Sequence, residues 1–275
     1  EPAVWRQVTD MFWIRFRSSV IIMAVTIFAL VMGGDVLFAA TLIISLIGVF
    51  ELYRALKFEK SLLAAAGYAA TLLYYVIMRC GSRLYTNFAP LMVLFAASLI
   101  VMMAIYVFTF PKYHANQLMM AFFALFYVSV MLSYIYKIRE QSAYLVWLVF
   151  ACSWGCDTCA YLVGSRFGKH RMAPVLSPKK SVEGAVGGIL GSALIAAVYA
   201  MAVHPALHAH TWQVALWCAL GALISQIGDL AASGIKRDYG IKDYGTLIPG
   251  HGGILDRFDS VIITAPIVYF FMFIH

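Results

Sequence analysis

Residues 28–40 read FALVMGGDVLFAA. The two glycines and the aspartate, Gly33-Gly34-Asp35, interrupt what is otherwise one apolar run. Read as a break, they separate two membrane spans. Read as a kink, they leave one long helix, and every later loop changes sides. Outward from this point, apolar runs of roughly 15–22 residues recur along the 275-residue chain, a length that suits helices crossing a bilayer. The chain is 63% hydrophobic and 12% charged, with a mean hydropathy of +0.85. No alternation of polar and apolar residues supports a barrel. Backbone groups in lipid must be satisfied within each span, so the runs read as helices. The fold class expected is an all-α polytopic integral membrane protein of about nine transmembrane helices, with no soluble domain between them.

Taking Gly33-Gly34-Asp35 as a break gives spans at 18–33, 36–53, 62–78, 88–109, 118–136, 143–163, 184–203, 212–232 and 254–275. The basic residues test this parity. All 20 Lys and Arg fall on one side except Arg79, Arg83, Lys137 and Arg139. That bias places the N-terminus and the loops after the sixth and eighth spans in the cytoplasm. In the N-terminal stretch, Val4, Trp5, Val8, Met11, Phe12 and Phe16 recur at helical spacing, with Arg6, Arg15 and Arg17 between them. This suits a short interfacial helix, or a helical extension of the first span. Glu1-Pro2 lacks an initiator Met, and no basic-apolar-small cleavage pattern follows. Two regions are expected: N-terminal transmembrane helices over 1–140 and a C-terminal catalytic region over 141–275.

Cys152, Cys156 and Cys159 lie at i, i+4 and i+7 on one apolar stripe. Small residues easing close helix packing explain them better than a metal or redox role. His204, His208 and His210 share a short loop that reads as a polar turn more readily than as a metal cluster.

Charge concentrates instead in GSRFGKHRMAPVLSPKKSVEGAVGG, after span six, and in KRDYGIKDYGTLIPGHGGILDRFDS, residues 236–260. Basic loops orient a membrane protein and touch anionic headgroups without further purpose. The acids are harder to explain in that way. Asp157 falls within span six and Asp229 near the end of span eight, and Asp256 and Asp259 share one face at the start of span nine. An ionisable group in a span costs about 2.5–3.5 kcal/mol on insertion scales and marks an ion or substrate site. Asp229, Asp256 and Asp259 therefore form the best acidic site, and oxygen ligands beside phosphates favour Mg²⁺. Pro249-Gly250-His251-Gly252-Gly253 precedes the last helix, where backbone amides and the helix start attract anions. Lys236, Arg237, Lys242, His251 and Arg257 surround it. Together these residues point to phosphoryl groups and a metal.

Ser233, Ile235-Lys236-Arg237, Lys242-Asp243, Gly245, Ile248-Pro249, His251-Gly252-Gly253 and Asp256-Arg257-Phe258-Asp259 resemble, in order and spacing, the signature of phosphatidate cytidylyltransferases, the CDP-diacylglycerol synthases. The signature covers 233–259 without a departure. Asp157, Ala160-Tyr161, Gly164, Phe167-Gly168-Lys169, Ser177-Pro178-Lys179-Lys180 and Glu183-Gly184 resemble a second block of that family. The first 140 residues are similar only in being several apolar spans.

The resemblance implies a multi-pass enzyme of the cytoplasmic (inner) membrane that takes CTP and phosphatidic acid and yields CDP-diacylglycerol and pyrophosphate. It implies a site open to the cytoplasm among membrane lipids, a homodimer and no nucleic-acid partner. It also implies a two-cation site, with Mg²⁺ and a second cation such as K⁺, at Asp229, Asp256 and Asp259. Lys236, Arg237, Lys242 and Arg257 are expected to neutralise phosphate, and His251, Gly252 and Gly253 to contact it or shape the turn. Ser177, Lys179 and Lys180 are expected at the triphosphate or the lipid head, with Asp157 completing a polar network. A prenyl-ether lipid cytidylyltransferase would use the same chemistry on another tail. An Asp-Gly-x-x-Ala-Arg motif of CDP-alcohol phosphotransferases is absent. An ion-coupled transporter is disfavoured because the polar residues crowd one end rather than the midplane.

Overall fold

A computed structural model describes residues 2–84, 89–207 and 209–271 of the chain, with the side chains of 2–12, 81–84 and 204–206 left out. His208 and the side chain of His204 thus lie outside the described residues, as do the last four residues of the ninth span.

Nine helices are formed by the described residues: α1 (Pro2–Met32), α2 (Gly34–Ala55), α3 (Leu62–Leu84), α4 (Ala89–Phe108), α5 (Ala115–Gln141), α6 (Val146–Phe167), α7 (Val182–Leu207), α8 (Thr211–Asp238) and α9 (Leu255–Phe271). The first eight contain stretches long and apolar enough to cross a membrane, and α9 adds 17 described residues. The all-α polytopic class is therefore the observed one. The break at Gly33 is real: α1 ends at Met32 and α2 starts at Gly34, with both glycines at positive φ (64° and 47°). That is backbone an L side chain adopts only under strain.

Three details differ from expectation. The N-terminal stretch is not a separate interfacial helix, because α1 runs unbroken from Pro2, with no Gly or further Pro to stop it before Gly33. The eighth helix continues past 232 to Asp238, so Lys236 and Arg237 sit in its last turn rather than in a loop. Basic residues there complement the helix dipole, and the chain turns only at Gly240, φ 65°. The loop after α6 folds into a small antiparallel hairpin, β1 (Arg171–Ala173) with β2 (Ser177–Ser181).

The chain divides into two compact units. The first comprises Glu1–Ala29, Asp35–Ser133 and Asp243–Asp256. Its core is aromatic and hydroxylic. Tyr53, Tyr74 and Tyr75 are fully buried, and their hydroxyls meet the carbonyl of Ala121 (2.8 Å), Ser133 Oγ (2.7 Å) and Ser45 Oγ (2.7 Å) respectively. Thr71 and Ser129 add another pair at 2.9 Å. Lipid offers no hydrophobic drive between helices, so such bonds and close packing hold helices together. Gly67 admits the Tyr53 ring where a side chain would collide with it.

The second unit comprises Leu30–Gly34, Tyr134–Lys242 and Arg257–His275. Arg139 terminates α1 here, donating from Nε to the carbonyl of Leu30 (2.7 Å) and from Nη2 to that of Val31 (3.1 Å). Small residues bring α6, α7 and α8 together. A Cβ on Gly184 would meet the carbonyl of Ala160 at 2.8 Å, one on Gly188 would meet Cys156 Sγ at 2.9 Å, and one on Gly221 would meet Cys152 Sγ at 2.7 Å. The cysteine stripe is packing surface, as its spacing suggested, and all five cysteines are free thiols. A π-helical turn over Ala151–Gly155 widens α6, and Ser192 of α7 donates to the freed carbonyl of Ala151 at 2.8 Å. Asp157 follows that turn by two residues. Ser181 caps α7 by accepting the Gly184 N–H at 3.1 Å.

Candidate active site

Two groups of polar residues stand out, one in each unit. In the second unit, α6, β2, α8 and α9 contribute Asp157, Lys180, Asp229, Lys236, Arg257 and Asp259. Asp229 and Lys236 are seven apart on α8, two turns along one face. Lys180 is ion-paired with Asp229, and Lys236 Nζ lies 3.9 Å from Asp259 Oδ2. Ser260 Oγ donates to Asp157 Oδ2 at 3.4 Å, while its amide donates to Asp259 Oδ1 at 2.8 Å. Burial pulls the Lys180 ammonium below its ordinary range, and the carboxylates of Asp157 and Asp259 pull it back up. Lys236 and Asp259 are buried. Two of the three acids are thus each paired with a lysine, and at Lys236 and Asp259 the opposite charge offsets the cost of burial.

Arg257 is held by its backbone, whose carbonyl accepts from Trp154 Nε1 at 3.2 Å. Its Nε is buried and has no partner among the described residues. A guanidinium with an unspent donor in a basic-acidic cluster suits an anionic ligand.

In the first unit, the turn before α9 is gripped by two carboxylates. Asp256 Oδ2 accepts the amides of Tyr244 (2.8 Å) and Gly253 (2.9 Å). Glu51 of α2, only 2% exposed, accepts the amides of Ile254 (3.0 Å) and Leu255 (2.8 Å). The anion at this helix start is thus supplied by the protein itself. Gly252 takes φ 86°, and a Cβ there would meet Asp256 Oδ2 at 2.9 Å; on Gly253 it would meet Glu51 at 2.5 Å. His251 Nε2 lies 3.0 Å from Ser19 Oγ, and Ser18 Oγ donates to the carbonyl of Pro249 at 3.0 Å.

Arg237 donates to the carbonyl of Ile241 at 3.0 Å. Lys179 and Lys242 are exposed, and Ser177 is half-buried at the start of β2. Among the three proposed metal ligands, Asp229 and Asp259 belong to the second group and Asp256 to the first. No three acidic, imidazole or thiol groups converge as a ligand set among the described residues. The donor chemistry nevertheless fits Mg²⁺, which takes hard carboxylate oxygens together with water and substrate phosphates. Glu51 escaped the sequence reading although its signal was there: a lone acid in an apolar span. Ser260 and Trp154 carried no such signal.

Residues 13–275 match the cytidylyltransferase family. The chain belongs to that family. The phosphatidate cytidylyltransferase of Staphylococcus epidermidis is 42% identical over 142 residues, 52% of this chain and 54% of that protein. That of Staphylococcus saprophyticus is 39% identical over the same shares, so these matches span about half the length of each relative. The phosphatidate cytidylyltransferase of Staphylococcus haemolyticus is 30% identical over 93% of this chain and 96% of its own length.

Proposed function

We propose that the chain transfers the cytidylyl group of CTP to phosphatidic acid, forming CDP-diacylglycerol and pyrophosphate. The observation that carries this reading is the cluster of Asp157, Asp229 and Asp259 with Lys180, Lys236 and Arg257, ion-paired at Lys180–Asp229 and Lys236–Asp259, in a chain of the cytidylyltransferase family. A phosphate oxygen of phosphatidate attacks the α-phosphorus of CTP. The bond to the β-phosphate breaks, and pyrophosphate carries away the electron pair. The attacking phosphomonoester, with a second pKa near about 6, is already largely dianionic at neutral pH, so no general base is needed.

Bringing two anions together is the obstacle, and fixed cations meet it. Arg257 donates its unspent Nε–H to a phosphate oxygen, and Lys180 and Lys236 hold positive charge beside the reacting groups. Lys242, Arg237, His251 and the Ser177–Lys180 strand steer the substrates inward. Asp229, Asp256 and Asp259, the ligand positions that the family resemblance implies, would hold Mg²⁺ with a second cation such as K⁺, and the metal would there neutralise phosphate charge and polarise the phosphoryl oxygens. The site opens to the cytoplasm from a homodimer in the cytoplasmic membrane. The Lys and Arg bias supports that orientation, and the family resemblance supports the pairing.

Radiolabel from α-labelled CTP, supplied to the purified chain with Mg²⁺ and diacyl or prenyl-ether acceptors, tests the reading. Label entering the diacyl lipid is the expected result. Label entering only the prenyl-ether lipid, or none entering lipid at all, overturns it.

A further inference from the structure

We propose that Glu51 is a positioning residue for this reaction, setting the start of α9 and, through it, the Asp256 carboxylate. The inference rests on the proposed cytidylyl transfer. Glu51 lies in an apolar helix, about two hundred positions before the signature, and is 2% exposed. A buried carboxylate is costly unless its lone pairs are used. Here both oxygens are: Oε1 takes the Ile254 amide at 3.0 Å and Oε2 the Leu255 amide at 2.8 Å. They also sit at the positive end of the α9 dipole.

The contact is close enough to dictate its surroundings. A Cβ on Gly253 would come within 2.5 Å of either Glu51 oxygen, and one on Gly245 within 2.8 Å of its Cδ. Two signature glycines are thus explained by a residue outside the signature. Consecutive amides are divided between two acids, Gly253 to Asp256 and Ile254 and Leu255 to Glu51. A shift of the Glu51 carboxylate therefore rotates the turn on which Asp256 depends. Gln cannot reproduce both bonds: the two amides meet different oxygens of Glu51, so a Gln carbonyl oxygen fills one of those positions and its NH₂ faces the donor at the other.

The test compares Glu51→Gln with wild type and with Ser133→Ala. The latter removes a buried hydroxyl bonded to Tyr74 and the Val130 carbonyl elsewhere in the same unit. Two measurements are made on the full chain in detergent: cytidylyl transfer, and the Mg²⁺ concentration that half-saturates the rise in melting temperature without substrates. Losing an outer support of a metal ligand costs about tenfold to a hundredfold in affinity or activity. Glu51→Gln is expected to lower kcat by that factor, leave KM for CTP within about twofold, and raise the Mg²⁺ half-point similarly. Ser133→Ala is expected to lower the melting temperature with the Mg²⁺ half-point unmoved. Should Glu51→Gln fail to fold, Glu51→Asp, which keeps the charge but is one methylene short, is read by the same two measurements. Wild-type kcat and Mg²⁺ half-point in the folded variant overturn the proposal, as does a loss that follows melting temperature alike in the Glu51 and Ser133 variants. A wild-type chain that transfers no label overturns the proposed reaction instead, and the Mg²⁺ half-points still decide the role of Glu51.

Discussion

Lys236 Nζ lies 3.9 Å from Asp259 Oδ2, with both side chains about 10% exposed. The first reaches its partner from the last turn of α8, the second from the first turns of α9. Asp229 has the same kind of partner in Lys180. Two of the acids expected to hold a cation are therefore each matched by an ammonium group of the protein.

Replacing Lys236 with Met leaves Asp259 buried beside one base fewer. Breaking such a pair from one side destabilises by about 3–5 kcal/mol in a fully desolvated setting. The remaining bases and partial exposure favour the lower end. The expected outcome is a lower melting temperature in detergent, together with loss of label transfer from CTP to lipid.

Asp256→Asn keeps an oxygen for the amides of Tyr244 and Gly253 but removes the charge. The variant is expected to insert and purify normally. Transfer should fall by more than about a hundredfold at saturating Mg²⁺, since even outer-shell partners of a metal cost tenfold to a hundredfold. Near-normal synthesis would remove Asp256 from the ligand set.

Arg257→Lys preserves charge and discards the Nε donor that has no partner among the described residues. A hydrogen bond to a charged group is worth about 1.5–3 kcal/mol, so kcat/KM for CTP should drop by roughly tenfold to a hundredfold. Unchanged kinetics would make Arg257 an ion-pair partner only.

Gly184→Ala tests the packing that carries Lys180 and Asp157 on neighbouring elements. The new Cβ would stand 2.8 Å from the Ala160 carbonyl and 3.1 Å from Gly164 Cα, both backbone. Overpacking of this kind costs about 1–3 kcal/mol. A depressed melting temperature is expected, and an unchanged one would show that α6 and α7 part without penalty.

Chelation separates the metal's part from the protein's own cations. Excess chelator is expected to abolish transfer, and added Mg²⁺ to restore it, in wild type. Transfer that persists under chelator would leave the lysines and Arg257 as the sole source of positive charge.

The helical, membrane-crossing character of the chain follows from composition, because apolar runs of span length leave the backbone no other way to satisfy itself in lipid. The break at Gly33-Gly34 and the packing role of Cys152, Cys156 and Cys159 were legible for equally local reasons. One is backbone freedom, the other a helical period of small residues. The acids and bases of the signature could be named from their order along the chain. Which of them meet could not. Lys180 reaches Asp229 because a hairpin folds over helices distant in sequence, and Lys236 faces Asp259 because α8 runs one and a half turns further than its apolar stretch. Glu51 meets Ile254 and Leu255 across two hundred residues. Periodicity describes which face a residue occupies. Only the packing of one element on another, driven by steric fit and by the need to pair each buried charge, decides what that face touches.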